Sequence, residues 1–198
     1  MAEPATGAHA PDRETLLAHR TLDALRVEGD GVRLASAPPR SIVSVALDPQ
    51  ASEARDAAER GLGAPLPAIG RTASSDFRGG STLVGLQTDQ WLVLTPEGDA
   101  PAAIVREAVG QAPAVTDQSD AWTGLVLEGP RASVALERTC RLDLHPEAFA
   151  PGHAARTAME HMAVILVRES IERFALFTPR SSEASFAHAM TVSVRAVS

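Results

Sequence analysis

The chain has 198 residues, a formal net charge of −7, 44% hydrophobic and 22% charged residues. A chain this long buries a core without disulfides or metals, and the acidic balance argues against nucleic acid, whose phosphates need a basic face. All 18 basic residues are Arg, and Lys, Asn and Tyr are absent; those three amino acids share AT-rich codons, so the bias reflects a GC-rich genome and not a function.

Met1 to Asp12 is rich in Ala and Pro and lacks the basic start and apolar run of a signal peptide, so a flexible tail is expected there. Leu16, Leu17, Leu22 and Leu25 follow at spacings suited to one short helix that needs another surface to cover it. Gly29 to Gly31 breaks that pattern, and Val32 to Leu34 reads as a short strand. Ile42 to Leu47 alternates apolar and small residues as a strand does. Asp48-Pro49 then suggests a helix start, with Ala54, Ala57, Ala58 and Leu62 at helical spacing and Gly63 as the stop. Pro65 to Ser81 reads as a loop.

Leu83 to Leu86 and Trp91 to Leu94 form an expected hairpin around Gln87 to Gln90. Pro101 opens a second helix that Gly110 closes, and Ala114 to Thr116 is a further strand. Leu125 to Leu127 is a strand that turns at Gly129-Pro130 into a helix carrying Ala132, Ala135 and Leu136, with Cys140 at its end. Leu142 to Gly152 is a loop. Ala154 to Met159, Ala163 to Val167 and Phe174 to Phe177 are strands. A last helix from Ser181 or Ser182 carries Phe186, Ala189, Met190, Val194 and Val197 on one face.

The order, roughly βαββαβ and then βαβββα, predicts an α+β fold of two ferredoxin-like halves with antiparallel sheets and helices on one side of each. The expected division is a tail over 1–12, a first half over 13–113 that includes an N-terminal docking segment, and a second half over 114–198. The longest apolar runs, such as Met162 to Val167, are too short to span a bilayer. With Cys140 as the only cysteine, no intrachain disulfide is possible; a cytoplasmic protein is expected.

Few residues could carry chemistry. Cys140 and His145 could serve as thiol and base or as metal ligands, with His153 and His161 as further donors, but their spacing follows no ligand pattern; a buried cysteine at a helix end beside a loop histidine is the plainer reading. Asp117, Asp120 and Asp143 could do acid–base work if desolvated, while Asp117-Gln118-Ser119-Asp120 reads as turn chemistry. Gly129-Pro130-Arg131 could hold an anion at a helix start, yet it lacks the repeated glycines of a nucleotide fingerprint; Gly79-Gly80 is equally weak. No Gly-x-Ser-x-Gly elbow occurs. These observations point towards binding or assembly.

The run Asp117-x-Ser119, Leu125-x-Leu127-x-Gly129-Pro130-x-Ala132, Cys140-x-Leu142-Asp143-Leu144-His145-Pro146, Phe149-x-Pro151-Gly152 and Thr157 resembles the sarcosine oxidase gamma subunit family. Pro39-Arg40, Asp89-Gln90-Trp91-Leu92 and Phe174-x-Leu176 to Pro179-Arg180-Ser181 add to it. The similarity runs from about Arg13 to the C-terminus. Leu16 stands where that family usually has proline, and Trp122 where a smaller or basic residue is usual.

The resemblance implies a gamma subunit without catalytic residues inside a complex of four different subunits. That complex oxidises sarcosine to glycine, releases hydrogen peroxide and forms 5,10-methylenetetrahydrofolate. It implies no cofactor in this chain; FAD, FMN, NAD and tetrahydrofolate are expected on the alpha and beta subunits and zinc on delta. It also implies a fold like part of the folate-dependent aminomethyltransferases, and docking chiefly on alpha. Leu16, Leu17, His145 and Phe149 are the expected contact residues. A free-standing folate-binding or aminomethyltransferase-like protein is the alternative.

Overall fold

The computed structural model describes Leu22 and residues 25–197. The expected N-terminal helix and the docking leucines Leu16 and Leu17 lie outside the described residues, as does the 1–12 tail.

Within them the strands are β1 (Arg26–Gly29), β2 (Val32–Ser36), β3 (Arg40–Ala46), β4 (Arg71–Ser75), β5 (Ser81–Gln87), β6 (Gln90–Pro96), β7 (Ala114–Asp117), β8 (Trp122–Glu128), β9 (Ala154–Met159), β10 (Met162–Ser170) and β11 (Arg173–Pro179). The helices are α1 (Ser52–Leu62), α2 (Pro101–Val109), α3 (Ala132–Glu137) and α4 (Glu183–Arg195). Two antiparallel sheets result, one in the order β4-β5-β6-β3-β7 and one in the order β1-β2-β8-β11-β10-β9.

Strand alternation decides the layering. Val43, Val45, Leu83, Trp91 and Val93 point one way and pack beneath Ala58 and Leu62 of α1 and Val105 and Val109 of α2. Their neighbours Ile42, Val84, Leu92 and Leu94 point the other way, against Ile165, Val167, Ala175 and Phe177 of the six-stranded sheet. Leu34, Leu125, Leu127, Leu166 and Leu176 then face α3 and α4 through Ala135, Leu136, Phe186, Met190 and Val194. The molecule is a four-layer α/β/β/α sandwich with helices on the outer face of each sheet.

The expected ferredoxin-like arrangement appears in both sheets. The order β7-β3-β6-β5 is that of one βαββαβ unit, with β4 added at its edge. In the other sheet, β2-β8-β11-β10 repeats the order, but the strand beside β8 comes from the N-terminal hairpin and not from a segment after α4. The sheets therefore do not follow a division at 113/114: β7 completes the first sheet, and β1 and β2 join the second. A backbone bridge between Arg71 and His153 also ties the two sheets at one edge.

Local differences have local causes. The first helix begins at Ser52 and not at Asp48-Pro49, because the Asp48 carboxylate accepts the Gln50 N–H at 2.9 Å and closes a turn of its own. Gly63 ends the helix as expected, at φ 67°. The predicted loop over Pro65 to Ser81 contains β4, a strand of Arg, Thr, Ala and Ser with no apolar face, which pairing with β5 supplies.

The β9–β10 turn is made by Glu160 (φ 47°) and His161 (φ 67°). Two left-handed residues are the signature of a turn that favours Asn-Gly, and this chain has no Asn at all. Replacing Glu160-His161 by Asn-Gly is expected to stabilise the chain by about 1 kcal/mol and to raise Tm by about 2–4 °C in a thermal melt. An unchanged or lower Tm counts against relieved turn strain.

Candidate functional site: the clasped loop after Cys140

The segment from Cys140 to Gly152 joins α3 to β9 and carries the residues most specific to the sequence motif. Leu144 and Phe149 turn inward and are buried in the core beneath the helices, Phe149 at 7% exposure. His145, Pro146, Glu147 and Ala148 between them are exposed. The Asp143 carboxylate accepts the His145 N–H at 2.9 Å, which turns the chain outward, and the Ala148 and Phe149 N–H groups return to the His145 carbonyl at 2.9 Å each. The result is one tight crest standing on two apolar feet.

The feet are held by a cation. Arg168 on β10 is 2% exposed. Its guanidinium donates to the carbonyls of Leu144 at 2.9 Å and Phe149 at 2.7 Å through Nη1. It also donates to Ile171 at 2.7 Å through Nη2 and to Ser170 at 3.2 Å through Nε, and it lies 4.9 Å from the centre of the Phe174 ring. Burial pulls its pKa down, but an arginine starts so high that it keeps its charge. Among the described residues, main-chain carbonyl oxygens and not a carboxylate solvate it. The backbone closes the same knot, with Gly152 N–H to the Arg168 carbonyl at 2.8 Å and Arg168 N–H to the His153 carbonyl at 2.9 Å. The His153 ring meets the edge of Phe149 at 5.7 Å.

The residues singled out for chemistry do not come together. Cys140 is 6% exposed in the core, whereas His145 is on the surface. Burial pushes the Cys140 thiol above its usual range, and the smaller effect of a backbone hydrogen bond with Leu142 works the other way. A thiol whose pKa is raised by folding stays protonated in the folded chain and ionises first in the unfolded one. Its contribution to stability is complete below the ordinary thiol pKa and is lost as pH rises through the folded value. Iodoacetamide at pH 8 is therefore expected to label Cys140 at least tenfold more slowly in the folded chain than in urea. Equal rates would show a reactive thiol.

Among the described residues, no three His, Cys, Asp or Glu side chains are grouped to hold a metal. Asp117 accepts from the Ser119 N–H at 2.9 Å and hydroxyl at 2.6 Å, and Asp120 is 86% exposed at the side chain. Asp117 does turn chemistry, while the Asp120 carboxylate lies 4.0 Å from the Arg180 guanidinium; both line a cleft of about 340 Å³, and neither is desolvated as a general acid or base requires. At Gly129-Pro130-Arg131 the Gly129 N–H bonds the Glu172 carbonyl and the Arg131 N–H the Gly31 carbonyl, so this strand-to-helix turn spends its donors inside the fold. Gly79 and Gly80 also donate inward, to the Asp76 and Phe77 carbonyls.

Of the expected contact residues, His145 stands on the crest and Phe149 is one of its buried feet. Arg168 escaped the sequence reading; an arginine ending the apolar run Val164 to Val167 was the available signal.

Known proteins give this arrangement a context. The chain is 33% identical over 127 residues to sarcosine oxidase subunit gamma of Corynebacterium sp. (strain U-96) and 34% identical over 124 residues to that of Arthrobacter sp. Those alignments cover 64% and 62% of this chain and 60% of each relative. Among solved structures, a chain of the heterotetrameric sarcosine oxidase from Corynebacterium sp. U-96, in complex with pyrrole 2-carboxylate, superimposes with a TM-score of 0.75 at 25% identity, covering 90% of both chains. This chain is similar to sarcosine oxidase gamma subunits. No family model matches it. The chain spans 60% of the length of those curated relatives in alignment.

The glycine cleavage aminomethyltransferase T of Bartonella henselae shares the fold alone, with a TM-score of 0.60 at 16% identity over 81% of this chain and 45% of that one. Among the described residues, no helix is long and apolar enough to cross a membrane.

Proposed function

We propose that this chain is the gamma subunit of a heterotetrameric sarcosine oxidase and acts there by docking rather than by bond-making. The observation that carries the reading is the agreement in fold with a chain of such an oxidase over 90% of both lengths. The residues are consistent with it: the thiol is buried and protonated, Asp117 serves a turn and Asp120 is exposed, and the motif loop is built as an exposed crest.

On this reading the complex oxidises sarcosine to glycine with release of hydrogen peroxide and formation of 5,10-methylenetetrahydrofolate. FAD, FMN, NAD, the folate and zinc reside on the alpha, beta and delta subunits, and alpha is the chief partner of this chain in the cytoplasm. Co-expression with the companion subunits tests it. The four chains are expected to co-purify as a yellow complex that releases peroxide with sarcosine, whereas this chain alone is colourless and inactive. Turnover of sarcosine, or tight folate binding, by the isolated chain would overturn the reading.

A further inference from the structure

The Arg168 guanidinium also reaches a second exposed segment. It holds the turn between β10 and β11 through the Ser170 and Ile171 carbonyls, as it holds the crest through Leu144 and Phe149. Carbonyls that converge on one planar group lie side by side, so the crest and the turn form one composite surface. Ile171 sits on it with 54% of its area exposed, and Pro146 and Ala148 are exposed with it. Carboxylates border the patch: Asp143, Glu147 and Glu172 are all exposed.

From this we infer that the crest and the Ile171 turn together form the contact surface of the subunit, shaped by Arg168 as a positioning residue and fitted to an apolar socket with a basic rim on a larger subunit of the oxidase. The inference rests on the gamma-subunit reading above.

Two features of the surface argue for this. A buried guanidinium is costly to desolvate and, among the described residues, has main-chain carbonyls rather than a carboxylate as partners, so it is not there to fill space. What it supplies instead is a fixed geometry for two loops at once. The patch is also apolar at its centre and charged at its edge, the anatomy of a protein contact; its two segments carry Asp143, Glu147 and Glu172 and no arginine, with Arg141 and Arg173 just outside them, a net negative charge that favours a partner of the other sign.

The test uses the full chain and the separately purified companion subunits, with affinity measured by biolayer interferometry at several salt concentrations. Ile171→Asp is expected to weaken binding at least tenfold, and Glu147→Arg to weaken it and flatten its salt dependence. Both side chains are exposed, so each variant is expected to keep the wild-type Tm when isolated. Arg168→Lys gives the positioning readout: amide exchange over 144–149 and 170–172 speeds up together while α4 stays protected.

If the wild-type chain binds the companions and both surface variants bind as tightly as it does, the contact lies elsewhere and the inference falls. If the wild-type chain itself does not bind, the gamma-subunit reading fails first. Independent exchange of the two loops in Arg168→Lys would overturn the positioning role.

Discussion

Arg168→Met is expected to be among the most damaging single substitutions in the chain, lowering stability by about 3 kcal/mol or more. Methionine fills much of the volume and faces Phe174 acceptably, so the loss is not one of packing. It comes from the carbonyls of Leu144, Phe149, Ser170 and Ile171, which lose a charged donor together. The Leu144 and Phe149 bonds are themselves buried, and each carbonyl left without a partner there costs on the order of 1 kcal/mol or more. Arg168→Lys keeps the charge but replaces a planar fork by a point donor, so it should fall between wild type and methionine.

For a chain of this length, 3 kcal/mol corresponds to a drop in Tm of about 6–12 °C. Thermal melts of both variants check the order, which is wild type, then Lys, then Met. If Met proved as stable as wild type, the carbonyls would have found other donors and the clasp would be a minor feature.

The clasp also marks the limit of what the sequence reveals. Elements with strong periodicity were legible: β3, the β5–β6 hairpin, α2 between Pro101 and Gly110, and the apolar face of α4 all occur close to where alternation and helical spacing put them. Pairings that join distant segments were not. Nothing in Val27, Val32 and Leu34 says that their hairpin lies beside β8, about ninety residues away, although Asp30-Gly31 between two valines was a hairpin signal where only a break in the helix pattern was read. Arg71 to Ser75 has no apolar face and is a strand through its partner alone. The motif loop was legible as a motif, but its inner and outer residues were not separable: Leu144 and Phe149 face the core and His145 the solvent because Arg168, nineteen residues beyond Phe149 in the chain, fixes the loop between them.

Gly61→Ala is a second substitution whose sign the structure decides against local propensity. Gly61 lies in the last turn of α1, and alanine there should favour the helix by up to about 1 kcal/mol. A Cβ on Gly61, however, would fall on the carbonyl of Ala108 in α2, with the obstructing oxygen, carbon and Cα all belonging to the backbone. Backbone inside a packed helix cannot swing aside as the end of a side chain can, so α1 and α2 must separate. Val105, Val109, Ala58 and Leu62, buried between them and the sheet, then loosen their contacts.

Overpacking of this kind costs about 1–3 kcal/mol, occasionally more; with a backbone obstacle the upper part of that range applies, and a net destabilisation of about 2 kcal/mol is expected after the helix gain. Urea unfolding should show a lower midpoint with an unchanged slope. Because the obstacle is a carbonyl, Ala108→Gly is expected not to rescue Gly61→Ala. A rescued midpoint would mean that the two helices meet through side chains, contrary to the close approach that the glycine permits.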